Sequence, residues 1–331
     1  MKVWDSLHDQ ESSVLAADRQ RATSVAWSPD GSRLASAGDE GIIRIWDAAT
    51  RQKQLAIPAH DERKIVSQYG LIRSLAWSPD GTRIASAGLD GAVKIWDAST
   101  GRELFALPAG HGAVWSVAWK PDGTALAAGL QDGTIGIAEH FDNPATVRFF
   151  QAHENPGRAE TPEGVRALAW NPQGDRLASG GFDGLVKVWD PVRATELLRM
   201  QGHNRWVIAV AWSADGKLLA SGAADFLVVT WDATTGQKLH TMRGHNDFVD
   251  AVKWSPDGSR LASAGIDNAV RIWDPRTGEE AFVVRGNAGM FHDLSWNSDG
   301  AQLAAACSDG QVWIWDARAG FAHDLSDPAA R

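Results

Sequence analysis

Histidine, serine and aspartate recur together along this chain. His60, Ser86 and Asp90 form one group; His153, Ser179 and Asp183, then His203, Ser221 and Asp225, then His245, Ser263 and Asp267 repeat it. Each group is followed by a tryptophan: Trp96, Trp189, Trp231 and Trp273. One occurrence would suggest a hydrolytic triad, in which a carboxylate orients an imidazole that takes the proton of a hydroxyl nucleophile. Four equivalent sets argue against that, because an enzyme does not need four nucleophiles.

Other chemistries find less support. There is no GxxxxGK[ST], no GxGxxG opening a helix and no HExxH, and Gly180-Gly181 reads as a turn between strands. The single cysteine, Cys307, excludes an internal disulfide framework and any multi-cysteine zinc or iron–sulfur site, and fits a reducing compartment. A net charge of -9 disfavours a phosphate-binding surface, which needs clustered Lys and Arg. Charges run throughout residues 1 to 20, and no apolar run approaches the roughly 18 residues that would cross a bilayer. The expectation is a cytoplasmic protein with no metal, no cofactor, no nucleic acid and no membrane among its partners.

The elements that position these residues follow from a period. Ala-Trp-Ser-Pro-Asp-Gly stands at 26–31 and 76–81, and variants AWKPDG, AWNPQG, AWSADG, KWSPDG and SWNSDG bring the copies to seven, with the tryptophan at 27, 77, 119, 170, 212, 254 and 296. From each, 19 residues lead to Trp46, Trp96, Ala138, Trp189, Trp231, Trp273 or Trp315, and 22 more usually separate the next acidic residue from the following copy, a period of 42. The spacing is 30 from Asp47 to Trp77 and 31 from Glu139 to Trp170, so two units carry insertions, Asp61 to Gly70 and Glu154 to Gly164. Runs such as Leu185-Val186-Lys187-Val188-Trp189 have strand length and composition, and Ser-Pro-Asp-Gly has the residues a tight turn requires. No capped amphipathic helix is visible. Four strands fit in 42 residues, and such a sheet cannot bury both faces alone, so the sheets must stack around an axis.

The unit AWSPDGTRIASAGLDGAVKIWDASTG at 76–101, preceded by Ala59-His60 or elsewhere by Gly202-His203 and Gly244-His245, resembles the WD-repeat β-propeller family over nearly the whole chain. The resemblance implies an all-β, seven-bladed propeller with four antiparallel strands per blade, formed by residues 1–331 as a single domain. It also implies a rigid, usually non-catalytic platform for protein partners. The four His/Ser/Asp/Trp sets are then structural tetrads, in which indole, hydroxyl, imidazole and carboxylate satisfy one another at roughly 0.5–1.5 kcal/mol per bond.

The chain opens with MKVWD, a phrase that ends the later units, and Asp5 to Trp27 is again 22 residues. The expectation is that about Ser12 to Ala17 supplies the outer strand of the last blade, fastening the ring and removing an exposed edge. The tail Phe321 to Leu325 is a rival for that place. Lys2 to Asp5 is then left over, which suggests a chain cut from a longer array or multidomain protein.

Some units depart from the pattern. Asp18 stands where unit 1 should have histidine beside Ser36, Glu40 and Trp46; unit 7 has Asn287 and Ala305; unit 3 keeps His111 and Asp132 but has Ala128 and Ala138. The insertions flank this weakest unit, in loops the family places on the top face, which suggests a docking region. Neutral drift of surface loops explains them equally well.

Of 17 tryptophans, seven begin the inner-strand motif, seven belong to Trp-Asp pairs, and Trp115, Trp206 and Trp313 remain. Trp115 and Trp206 lie four and six residues before their unit's first tryptophan, positions that in this family face the channel mouth. The same positions hold Arg21, Arg73, Arg166, Phe248, Asp250, Met290 and His292, and the residue before the tight-turn aspartate adds Phe182 and Gln131. Large aromatic area with a few directional charges suits a protein-binding hot spot; the plainer reading is that Trp206 and Phe248 plug the channel. Trp313 either covers the surplus N-terminal strand or faces a missing neighbour.

The leading expectation is a non-catalytic module whose top face grips a peptide or protein loop through Arg73, Trp115, Arg166, Trp206 and Phe248. Similar bacterial repeat arrays form tails of protein kinases or signal-transducing ATPases, so fusion to one of these is a further expectation. A hydrolase using Asp250 and His292, and a purely architectural propeller in a longer array, are the alternatives.

Overall fold

The computed structural model describes residues 3–4, 12–60, 71–108, 112–139, 141, 146–154, 164–285 and 289–317. They form seven blades of four antiparallel strands, six of them built from consecutive strands, and one blade gains a further, parallel strand at its edge. The first blade comprises Ala22–Trp27, Arg33–Gly38, Ile42–Asp47 and Lys53–Pro58, ordered from axis to rim. Inner strands of the other blades are Ile72–Trp77, Val114–Trp119, Val165–Trp170, Val207–Trp212, Val249–Trp254 and Phe291–Trp296. The seventh blade takes its outer strand, Ser12–Ala16, from the start of the chain, antiparallel to Gln311–Asp316, as the period requires. Phe321 to Leu325 lies outside the described residues.

Val3–Trp4 corrects one expectation. These residues are not left over: they run parallel to Glu279–Arg285, with Val3 opposite Val283 and Trp4 opposite Val284, and give the sixth blade a fifth strand. With the seventh blade's rim already occupied by Ser12–Ala16, the outer edge of the sixth blade is where their backbone donors and acceptors find partners. Trp313 packs against the cluster between the sixth and seventh blades, which includes Phe282 and Val284. It stands opposite Val14 in the closing strand and stacks on Trp315, ring centroids 6.3 Å apart.

Seven apolar clusters fill the ring, one between each pair of neighbouring blades. The inner-strand tryptophans hold the interfaces polar as well as apolar. Trp77 Nε1 donates to the Ala26 carbonyl of the preceding blade at 2.9 Å, and Trp119, Trp170, Trp212, Trp254 and Trp296 repeat the bond to Ala76, Ala118, Ala169, Ala211 and Lys253. Trp27 does not: its Nε1 is buried without a hydrogen bond among the described residues. At that seam Asp293 of the last blade accepts from Ser24 Oγ and Val25 N instead, and Ser295 Oγ accepts from Trp27 N.

Blade 3 compensates for its missing tryptophan locally. Phe149 lies across from Gly136, where a Cβ would stand 2.8 Å from the Phe149 ring, and Phe141 meets Trp119 edge-on at 5.1 Å.

Candidate functional site

Each repeated His/Ser/Asp/Trp set is a closed hydrogen-bond chain. His153 Nδ1 lies 2.9 Å from Asp183 Oδ1 and Nε2 lies 2.7 Å from Ser179 Oγ, which also accepts Trp189 Nε1–H at 2.8 Å. The sets built on His60, His203 and His245 have the same geometry. With Nδ1–H donating to the carboxylate and Nε2 accepting the serine O–H, the indole supplies the remaining proton and every group is used. Burial pushes the His153 imidazole below its usual value in spite of the Asp183 carboxylate. Burial is the largest influence on Asp183 too and opposes its ionisation, but the His153 hydrogen bond and charge, the Leu185 N–H and the Lys187 charge together outweigh it, and the carboxyl lies below its ordinary range. The serines have zero exposure, so no substrate reaches them. These sets hold the top turns onto the blades.

In unit 1 Ser36 still accepts from Trp46 at 2.9 Å, while Asp18 in the histidine's place accepts the backbone N–H of Glu40 and Gln20. Burial raises the Asp18 carboxyl above its usual value. His111, Asn287 and most of the two insertions lie outside the described residues.

The top-face positions divide into two groups. Residues four before the inner tryptophan, namely Thr23, Arg73, Trp115, Arg166, Ile208, Asp250 and His292, all line a central channel of about 540 Å³. At every one of them the pairing of the inner strand slips, as between Ile72 and Ser74, so each is the extra residue of a β-bulge. A bulge breaks the alternation of the strand and re-aims one side chain. Seven bulges in register therefore ring the channel with residues that differ from blade to blade.

Within that ring the arc from blades 2 to 4 is cationic and aromatic. The guanidinium carbon of Arg166 lies 4.2 Å from the Trp115 ring centroid and that of Arg73 lies 5.5 Å away. Burial, and after it the Arg166 charge, pulls the Arg73 guanidinium down to about 10, still protonated at neutral pH. Trp115 Nε1 is buried with no hydrogen bond among the described residues. Across the channel, His292 Nδ1 is 2.9 Å from Asp250 Oδ2, and its Nε2 has no hydrogen-bond partner among the described residues.

Residues six before the inner tryptophan, Trp206 and Phe248 among them, are not part of this channel lining. They end the loops just ahead of the strands and lie on the rim. Phe182 stacks on Trp206 at 4.1 Å, Trp206 meets Phe248 edge-on at 6.0 Å, and Phe248 meets Phe226 at 6.1 Å. Trp206 remains 40% exposed and Met290 42%. Arg21 is engaged with Asp39 at 2.7 Å. Phe226 was missed by sequence reasoning; the signal was Asp225-Phe226 where most units read Asp-Gly.

A family model described as WD domain, G-beta repeat matches residues 10–47, 57–97, 101–137, 146–190, 194–232, 236–274 and 278–316. The fold and these seven matches place the chain in the WD-repeat family of β-propellers, to which it belongs. Propellers of this family are generally non-catalytic platforms that bind proteins or peptides. Among curated proteins, none matches this chain.

Proposed function

We propose that this propeller is a non-catalytic interaction module whose top face binds a peptide or loop of a partner protein. The observation that carries the reading is the Arg73–Trp115–Arg166 arc: three bulge residues on adjacent blades, stacked together at the channel mouth. Aromatic and arginine side chains in a partly desolvated setting are what binding hot spots use. Buried tetrads and interblade staples make the platform rigid, so little conformational freedom is lost when a partner docks.

The test is a binding isotherm with a partner captured by the intact chain, comparing the native protein with one carrying Arg73→Ala, Trp115→Ala and Arg166→Ala together. A loss of about a hundredfold or more supports the reading; unchanged affinity in a folded variant removes it and leaves an architectural role.

A hydrolase reading has one favourable observation, the Asp250–His292 hydrogen bond. A general base also needs a nucleophile within reach, and no described hydroxyl or thiol bonds to His292 Nε2. Turnover on a hydrolase panel abolished by His292→Ala would favour this second reading.

A further inference from the structure

Phe226 occupies a backbone conformation that side chains avoid. Its φ is 70°, and the equivalent residues after the tight-turn aspartate or glutamate are Gly41, Gly91, Gly133, Gly184 and Gly310, with Asn268 in blade 6, all at positive φ. Glycine is at ease there and asparagine tolerates it, whereas an aromatic residue is strained. Strain of this kind persists where the surrounding structure holds it in place, and it concentrates at ligand-binding positions. What the conformation achieves here is placement: the ring reaches Phe248 and extends the row Phe182, Trp206, Phe248 across the rim of blades 4 to 6.

The row is polarised along its length. Its blade 4 end adjoins the cationic arc, because Val165 pairs with Gly181, so Arg166 and Phe182 lie one residue from the same rung. Arg205 is exposed next to Trp206 in the chain. The far end carries Asp247, next to Phe248 in the chain, while Asp250 in the channel is bonded to His292 and its charge also reaches Arg73. An anion is therefore favoured at the blade 4 end, beside two like charges at Arg73 and Arg166 that repel one another.

Resting on the top-face reading above, we propose that this site takes a peptide in which an aromatic or branched aliphatic residue lies on the Phe182–Trp206–Phe248–Phe226 row and a neighbouring Asp or Glu reaches the Arg166 end, with Phe226 held in strain to complete the apolar part.

The probe is a randomised nine-residue peptide library displayed on phage and selected against the intact chain. The expected winners carry an aromatic or branched aliphatic residue within two positions of an Asp or Glu; winners rich in Lys or Arg, or no enrichment, overturn the proposal. The tightest winner, made as a synthetic peptide, is then titrated against Phe226→Gly, Phe226→Asn and Arg166→Ala. Each substitution at Phe226 should weaken binding about tenfold while the thermal midpoint holds or rises by about 1–3 °C, since strain is relieved. A midpoint that falls by several degrees means that Phe226 serves packing and overturns the proposal. Weakening by Arg166→Ala with no effect at Phe226 overturns this inference and leaves the top-face reading standing; indifference to all three removes both.

Discussion

Leu15 lies opposite Val312, so a strand from the beginning of the chain completes the sheet of the last blade. Leu15 is buried in the cluster that joins the last blade to the first, beside Val25, Trp27 and Ile314. Leu15→Ala should cost about 2–4 kcal/mol through lost transfer energy and the cavity left behind. Urea unfolding of the pair measures it, and a change below about 1 kcal/mol would show that the closing strand contributes little.

Ser179 accepts from Trp189 and bonds to His153, while Ser36 has only Trp46. Ser179→Ala leaves two buried polar groups unsatisfied and Ser36→Ala leaves one. The first should therefore destabilise by about 2–4 kcal/mol and the second by about 1–2 kcal/mol. Ser179→Ala and Trp189→Phe should also be non-additive, since they break the same bond. Chemical denaturation of the three variants and the double variant provides the comparison.

Stability should fall with acid in two steps. His153 has a depressed pKa, so the unfolded chain binds its proton first, and stability present above about pH 6.5 is lost as pH falls toward the folded value. Asp90, Asp183, Asp225 and Asp267 also lie below their usual range, so their contribution is present above about pH 4 and is lost as pH falls further. Urea midpoints between pH 8 and pH 3 trace both steps, and a midpoint constant from pH 7.5 down to pH 5 would contradict a neutral buried His153.

Cys307 should be silent toward thiol reagents in the folded state. It is buried, and burial pushes its thiol up to about 12, so almost no thiolate exists at neutral pH. Iodoacetamide labelling followed by mass spectrometry should show no adduct in buffer and one adduct in denaturing urea. Labelling of the native protein within minutes would mean that blade 7 opens readily.

The ring was legible because Trp-Asp pairs, Asp-Gly turns and a 42-residue spacing repeat what a blade needs, and repetition turns weak local signals into a strong one. The four tetrads were legible for the same reason. The division of the top face was less so. Trp115 and Trp206 looked equivalent in sequence, but a bulge aims Trp115 into the channel, while Trp206 lies ahead of the strand and stays on the rim. Bulges depend on how two strands pair, which no single strand announces. Phe149 over Gly136 was hidden similarly, since Phe149 falls outside the repeat pattern and only cross-strand register brings the two together.

The unbonded indole of Trp27 sets where this circle gives way. Six interblade contacts carry an indole-to-carbonyl bond; the one between the last blade and the first relies on Asp293 and Ser295 and on the separately threaded strand Ser12–Ala16. Peeling that strand away removes no covalent link between blades, so breathing of the molecule should begin there, and amide protons of Ser13 to Ala16 should exchange with deuterated solvent before those of any inner strand.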